Sequence, residues 1–290
     1  MKSSTMDFAF FSANLHHYVP SIPWTKHESL YSIFNGYHKP RNHNLYTADI
    51  IGANQLRTSG ILVAFHLGQH ELLPVYLAQM GLEFDILISR NVYARHDQSL
   101  RAHQDALGKA GKRFNFLFAE DRNIVFELRR SLRAERHVLI FADGNLGSEN
   151  MRLNMDRVNF LAAQLQVRTG IAFLSHLLQV PVYPIIDQLK AQKLRIRFGT
   201  SIWVRNGESR TSYVQRCMQE LFDRLAKRLD RHWTDWGCWN HMHRNGMLFL
   251  KNKNMPLNGE ENEGTIRFDC AKHRFLLDRE NYQLYRMHKA

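Results

Sequence analysis

Residues 60–71 read GILVAFHLGQHE, and this stretch indicates the fold class of the chain. The apolar run Ile61–Phe65 is short and lies between two glycines, which is typical of a buried strand in a parallel sheet. A helix is predicted from Gln69 to Met80, because a glycine follows directly. His66 therefore lies between a strand and a helix, at the strand end where catalytic groups of open α/β sheets gather.

The same alternation continues along the rest of the chain. Strands are predicted at Phe84–Ile88, Phe114–Phe118, Val138–Ala142, Val182–Ile186 and Leu194–Val204. Helices are predicted at Tyr46–Leu56, Asp97–Ala110, Asp121–Ala134, Arg168–Leu178 and Thr211–Trp233. Strands and helices that alternate at this spacing predict an α/β fold, with a mostly parallel central sheet flanked by helices on both faces.

The sequence divides into three parts by composition. Residues 1–45 are rich in histidine, asparagine, serine and aromatic residues and predict an irregular amino-terminal cap. Residues 46–250 carry the strand–helix alternation. Residues 251–290 begin with a linker over 251–265, rich in lysine, asparagine, glycine and glutamate, and continue into a small hairpin at Thr265–Phe275. We therefore expect one large α/β domain with a cap and a short carboxyl-terminal appendage.

The chain is strongly basic: 39 lysine and arginine residues against 27 aspartate and glutamate residues give a net charge of +12. Such a field suits an anionic partner, namely nucleic acid, a membrane face or an acidic protein. Nucleic acid is the weakest of the three, because no recognition motif with interleaved aromatic residues is present. One predicted helix carries a basic run that either docks an acidic protein or anionic headgroups, or is a solvated face. Its members are Arg122, Arg129, Arg130, Arg133 and Arg136.

Neither a membrane-spanning segment nor a disulfide framework is expected. The stretch Phe8–Trp24 carries no Asp, Glu, Lys or Arg, but its apolar part ends by Leu15, and a spanning helix needs about 20 mostly apolar residues. The three cysteines, Cys217, Cys238 and Cys270, form no C-x-x-C pair. A reducing cytoplasmic setting and, at most, peripheral membrane contact are therefore predicted.

His66 and Glu71 are the first candidate catalytic pair. Glu71, in the first turn of the predicted helix, is placed to reach back to one imidazole nitrogen, fixing the tautomer and leaving the other nitrogen as a general base. Gly68 permits a tight turn and a close approach of the backbone to a substrate. The alternative is that the His-x-x-x-x-Glu spacing arises by chance and that His66 is merely solvated or capped.

No metal and no bound cofactor are predicted. The pair His241 and His243 has no matching Cys/His pair at a usual zinc spacing. The stretch His70–Pro74 lacks the second histidine of a metalloprotease helix. A G-x-S-x-G elbow, a Walker loop and a dinucleotide fingerprint are also missing from the sequence, which argues against hydrolase, NTPase and dehydrogenase functions.

Four blocks of sequence, in order over about residues 46–246, resemble the bacterial lipid A biosynthesis acyltransferases. Those are the late lauroyl and myristoyl transferases of the lysophospholipid acyltransferase superfamily. The blocks are Gly60–Glu71, Val138–Gly144, the stretches Val158–Leu161, Gly170–Ala172 and Pro181–Ile185 taken together, and Trp233–Arg244. Three features depart from the family pattern: Gln69-His70 replaces its Asn-Trp pair, Ala162 replaces a glycine, and its amino-terminal membrane anchor is missing.

The resemblance implies a lysophospholipid-acyltransferase-like fold, with residues 46–250 as the acyltransferase domain. It also implies transfer of a fatty acyl group from an acyl carrier protein or CoA thioester to a hydroxyl or amine of a saccharide lipid or lysolipid. His66 would be the general base and Glu71 its orienting partner. An oxyanion would be stabilised by backbone N–H groups near Gly68 and by Arg90, with Arg101 as a second choice.

Asp143 and Gly144 would shape the substrate pocket from the next strand end, although a plain turn explains them as well. The resemblance implies a peripheral location on the cytoplasmic face of the inner membrane. Two alternatives remain open: a soluble tailoring acyltransferase for a small or peptidic secondary metabolite, and a non-catalytic basic protein that binds nucleic acid.

Overall fold

A seven-stranded mixed sheet forms the centre of the protein in its computed structural model. The structure describes residues 5–38, 47–109, 114–144, 155–190, 193–230, 232–245, 249–256 and 263–288. The helices are α1 (Met6–Tyr18), α2 (His27–Tyr37), α3 (Leu73–Gln79), α4 (Arg90–Lys109), α5 (Ile124–Arg133), α6 (Gly170–Leu178) and α7 (Arg210–Leu229). The strands are β1 (Thr47–Ile51), β2 (Ile61–Ala64), β3 (Phe84–Ile88), β4 (Phe114–Phe118), β5 (His137–Phe141), β6 (Met155–Phe160), β7 (Ala163–Arg168), β8 (Val182–Lys190), β9 (Lys193–Phe198), β10 (Phe249–Pro256), β11 (Thr265–Cys270), β12 (His273–Asp278) and β13 (Gln283–His288).

The central sheet has the strand order β1-β9-β8-β2-β5-β3-β4. Every neighbouring pair in it is parallel except β8 and β9, which are antiparallel. The predicted α/β fold with a mostly parallel sheet is therefore confirmed. Strands β8, β2 and β5 are adjacent at the centre, so their carboxyl ends meet at one edge of the sheet.

Alternate residues of the central strands enter two separate hydrophobic clusters. On β2, Leu62 and Ala64 pack in one cluster with residues of α3, whereas Ile61 and Val63 pack in the other with residues of α1, α5 and α7. Burying side chains of this size stabilises a fold by about 1.5–3 kcal/mol each. The sheet is consequently covered by helices on both faces. Alternate residues along a central strand place their side chains on opposite faces.

The helix predicted over Tyr46–Leu56 is wrong. Its described part contains the edge strand β1, which pairs in parallel with β9, followed by a short 3-10 turn at Ala53–Gln55. Asp49 contributes to the pairing, because its carboxylate lies 3.2 Å from Nε of Arg195, its register partner across the strands. Cross-strand pairing thus overrides the local helical pattern.

Strands β3 and β4 occupy their predicted residues, and β2 and β5 fall within one residue of theirs. The remaining predicted elements exist with shifted ends: the helix after β3 begins at Arg90, β9 ends at Phe198, and α7 ends at Leu229. The segment predicted as a helix from Gln69 begins instead with a 3-10 turn at His70–Leu72. Sequence analysis assigned no structure to the antiparallel hairpin of β6 and β7, which packs against α7.

Residues 1–45 were expected to be irregular, but α1 and α2 occupy much of the described part. Thr5 begins α1, because its side chain accepts a hydrogen bond from the Phe8 backbone N–H at 3.2 Å. One side of α1 (Phe11, Leu15) enters the main core, and the other side packs on a second sheet. A helix that is apolar all round is stabilised by burial on both sides rather than by an amphipathic pattern.

The second sheet has the strand order β10-β13-β12-β11. The hairpin predicted over Thr265–Phe275 is confirmed in position, although β12 continues to Asp278. The linker predicted over 251–265 is wrong for its first part, which is strand β10, paired in parallel with β13. Its residues 257–262 lie outside the described part of the chain.

Among the helices in the described residues, none combines the length and the apolar composition that crossing a bilayer requires.

Candidate active site

His66 and Asp143 form a hydrogen-bonded pair at the carboxyl ends of the adjacent strands β2 and β5. The imidazole Nδ1 lies 2.7 Å from Asp143 Oδ1, and the His66 backbone N–H donates to Asp143 Oδ2 at 2.9 Å. The carboxylate is 2% exposed, whereas the histidine side chain is 32% exposed. Because the carboxylate accepts, Nδ1 carries the proton, and Nε2 is left as the basic nitrogen.

The two groups shift each other's pKa. Burial alone would lower the pKa of His66, but the charge and hydrogen bond of Asp143 raise it above its ordinary value. Burial alone would raise the pKa of Asp143, but the charge of His66 and hydrogen bonds from His66 and Trp236 hold it below its usual range. The arrangement therefore favours an ionised carboxylate beside an imidazole that readily accepts a proton.

Asp143 is fixed by further donors from the segment after α7. Trp236 Nε1 donates to Asp143 Oδ2 at 2.6 Å, and the Cys238 thiol lies 3.5 Å from the same oxygen. Burial raises the pKa of Cys238, so this group remains a thiol that donates. His66, Asp143 and Cys238 are close enough together to hold a metal ion. Their ligand atoms are, however, already engaged with one another in hydrogen bonds.

The same segment also holds the backbone of the His66 loop. The Gly68 N–H donates to the Asp235 carbonyl oxygen at 2.7 Å, and the Gly237 N–H donates to the His66 carbonyl oxygen at 2.8 Å. Gly68 has a φ of +41°, which a residue with a side chain rarely adopts. The expected tight turn is therefore present. The Gly68 N–H, however, already has a carbonyl acceptor, so the oxyanion role expected for it is not supported.

The predicted pairing of His66 with Glu71 is wrong. Nδ1 of His66 is bonded across the sheet to Asp143, and Glu71 lies exposed in the 3-10 turn that follows. Its charge reaches His66 and contributes to the raised pKa, as the smallest of the contributions. Asp143, which was expected only to shape the pocket, takes the place of Glu71 as the orienting partner of the imidazole.

The two candidate oxyanion arginines lie elsewhere. Arg90 begins α4, forms an ion pair with Asp121 and lies over the Phe118 ring with its guanidinium carbon 4.5 Å from the ring centre. Arg90 follows strand β3, which is two positions from β2 in the sheet. Arg90 therefore lies apart from the His66–Asp143 pair. Arg101 is exposed on α4. Gly144 follows Asp143 and lines a small pocket together with Val167, Phe222, Trp236 and Met242.

Three residues beside His66 were not predicted to belong to the site. His70 meets the His66 ring edge-on, with ring centres 4.7 Å apart, and burial lowers its pKa to about 3, so it is a neutral neighbour. Phe141 packs against His66 at 4.9 Å. Asp187, on β8, is 1% exposed. Asp187 could have been found from the sequence, because it is an acidic residue that directly follows the apolar run Val180–Ile186.

Two other sequence-level interpretations can be compared with the structure. Arg136 does not belong to the basic face of α5, since it binds the buried Asp85 with Nη2 at 2.7 Å from Oδ1. The remaining members of the run are exposed, and Arg130 pairs with Glu127. His243 is buried and stacks on Phe10 with ring centres 3.6 Å apart, so its side chain packs in the interior.

Comparison with models of known protein families finds no match to this chain, and comparison with curated proteins finds none either.

Proposed function

We propose that the chain is an acyltransferase that moves a fatty acyl group from an acyl carrier protein or CoA thioester to an acceptor hydroxyl or amine. The acceptor class that we favour is a saccharide lipid or lysolipid, as the resemblance of the sequence blocks implies. The observation that carries the proposal is the His66–Asp143 pair, in which a buried carboxylate orients a partly exposed imidazole.

The proposed reaction uses His66 twice. Its Nε2 accepts the proton of the acceptor group as that group attacks the thioester carbonyl carbon. Asp143 stabilises the imidazolium that forms, in the same manner as the carboxylate of a Ser-His-Asp site. When the carbon–sulfur bond breaks, the imidazolium returns the proton to the leaving thiolate. General-base assistance of this kind accelerates such reactions by about 10²–10⁴-fold.

The exposed face of α5 is the proposed docking surface for the donor or for an anionic membrane. On α5, Phe126 is 70% exposed, and Arg129 and Arg133 are exposed at helical spacing from it. Arg122 is exposed in the turn that precedes the helix. A basic face around an exposed aromatic residue suits an acidic carrier protein or anionic headgroups. The proposal includes peripheral contact with the cytoplasmic face of the inner membrane.

The test is an acyl-transfer assay with purified wild-type protein and the His66→Ala variant. Lauroyl-CoA and lauroyl carrier protein serve as donors, a lysophospholipid and an acylated glucosamine disaccharide serve as acceptors, and products are measured by mass spectrometry. We expect the His66→Ala variant to lose about 10²–10⁴-fold in rate while remaining folded, because His66 lies at a strand end and Asp143 keeps its hydrogen bond from Trp236.

His273→Ala is the matched control, because His273 is an exposed histidine on the second sheet. It should retain the wild-type rate. Undiminished transfer by the His66→Ala variant would contradict the mechanism. Failure of the wild-type protein to acylate either of these acceptors, or the primary amine hexylamine, from either donor would contradict the function.

A further inference from the structure

Two carboxyl groups flank His66, one from each neighbouring strand. The register pairs Ala64 with Phe141 on β5 and Val63 with Pro184 on β8. Extending both registers sets His66 level with Asp143 on one side and Asp187 on the other. Neighbouring strands are about 4.7–4.9 Å apart, and residues of equal parity share a face of the sheet. The three residues therefore form a row across the carboxyl ends of β5, β2 and β8.

The two carboxyl groups in this row differ in their partners. Asp143 accepts hydrogen bonds from His66 and Trp236. Neither oxygen of Asp187 has a hydrogen-bond partner among the described residues, although the group is buried. Leaving a buried polar group unpaired is unfavourable, and more so for a charged group. An unpaired carboxyl group beside a catalytic base is therefore a position where a ligand can supply the missing donor.

Arg228 does not satisfy Asp187. The charge of Arg228 reaches Asp187, but its guanidinium is bound to Asp235 in an ion pair. Burial raises the pKa of Asp187 to about 7, against the opposing effect of Arg228. The carboxyl group is thus available to ionise when a cation binds to it.

The surroundings of His66 are acidic, whereas the whole chain is basic. The charges that raise the pKa of His66 belong to Asp143, Asp187 and Glu71. The net charge of the chain is +12. A local field of this sign attracts a cationic reactant and repels an anionic one. Among the two acceptor groups that acyl transfer allows, only an amine carries a positive charge at neutral pH.

We propose that the acyl acceptor is a primary amine, whose ammonium group binds to the Asp187 carboxylate beside His66. This inference rests on the proposed acyl transfer and narrows its acceptor class.

The ammonium group becomes a neutral amine by giving one proton to the Asp187 carboxylate. Asp187 later releases this proton to water. As the nitrogen attacks the thioester carbonyl carbon, His66 Nε2 takes the second proton. A carbon–nitrogen bond forms, the carbon–sulfur bond breaks, and His66 protonates the leaving thiolate. The products are an amide, a free thiol and one proton.

The experiment measures the binding of hexylamine and hexanol, which differ only in the donor group, to the full-length protein by calorimetry. The wild-type protein should bind hexylamine at least tenfold more tightly than hexanol. In the nearly isosteric Asp187→Asn variant, hexylamine affinity should fall at least tenfold and hexanol affinity should stay unchanged. Asp49→Asn, which alters a partly exposed carboxylate on β1, is the matched control and should leave both affinities unchanged.

Equal wild-type affinities for hexylamine and hexanol, which need no variant to measure, would overturn the inference. So would unchanged hexylamine affinity in a folded Asp187→Asn variant. Incubation of each acceptor with lauroyl-CoA separates this inference from the proposed function. Ester formation without amide overturns the amine acceptor alone, whereas amine binding with no product from either acceptor overturns the acyl transfer and the acceptor role together.

Discussion

Two buried aspartates of the same sheet lie in opposite environments. Asp85, near the amino end of β3, accepts hydrogen bonds from Asn115, Ser131 and Arg136 at 2.6–3.3 Å. Burial would raise its pKa, but these partners hold it below its ordinary value. Asp187, towards the carboxyl end of β8, has no hydrogen-bond partner among the described residues. Burial raises its pKa to about 7.

The difference distinguishes the Asp85 carboxylate, which stabilises the fold, from the Asp187 carboxyl group, to which we assign ligand binding. The partners of Asp85 come from β4 and from the region of α5, so they join three elements at the amino edge of the sheet. At the carboxyl edge, the chain retains an unsatisfied carboxyl group at a cost in stability. Departures from complete hydrogen bonding are expected where function requires them.

Removal of the satisfied carboxylate should have the largest effect on stability. Asp85→Ala leaves Arg136, whose side chain is 17% exposed, without its buried partner. Breaking a buried pair in this way costs about 3–5 kcal/mol in the free energy of unfolding. Urea denaturation should detect this loss, and Asp49→Ala, which breaks a partly exposed pair, should cost about 1 kcal/mol or less. Equal losses in the two variants would remove the contrast between the buried and exposed pairs.

Removal of the unsatisfied carboxyl group should have a smaller effect of opposite sign that depends on pH. The pKa of Asp187 rises from 3.8 to about 7 on folding, so between these values the folded protein keeps a proton that the unfolded chain releases. Wild-type stability should therefore fall from about pH 4 to pH 7 and then level off. Asp187→Asn lacks this loss, so between pH 4 and pH 8 its free energy of unfolding should gain on that of the wild-type protein by on the order of 4 kcal/mol at most, at about 1.4 kcal/mol per pKa unit. A constant difference in unfolding free energy across pH 4–8 would contradict the assignment.

The exposed carboxylate of the carboxyl edge should have the smallest effect. Asp143, and not Glu71, is hydrogen-bonded to the His66 imidazole, and exposed charges such as that of Glu71 contribute about 0–1 kcal/mol. Glu71→Gln should therefore reduce the acyl-transfer rate by less than about threefold, measured beside His66→Ala under the same conditions. A loss as large as that of His66→Ala would restore Glu71 as the orienting residue.

The central strands were predictable from the sequence because a buried parallel strand is nearly all apolar. Strands β3 and β4 lie at their predicted residues for this reason. Edge strand β1 was not predictable, since its residues gain their conformation from pairing with β9 across more than a hundred positions of sequence. The hairpin of β6 and β7 carries a period-two pattern, with Val158 and Phe160 buried, that sequence analysis did not use.

The candidate site was predictable only in part. The sequence places His66 and Asp143 at strand ends, and the sheet brings them together. Their pairing was missed because sequence spacing reveals neighbours along the chain, such as Glu71, and not neighbours across strands. Asp187 joins the row through the register of β8 with β2, which depends on strand order and thus on the whole fold.

The placement of α1 between two sheets has a consequence for biosynthesis. Ala9, Phe10 and Ala13 are synthesised early, but the strands that cover them begin at Thr265, roughly 250 residues later. At about 5–20 residues per second, this apolar face waits roughly 10–50 s for its partner strands. During translation the nascent chain therefore presents an apolar helix face before its partner strands are made, and this is the type of surface that a holdase chaperone binds.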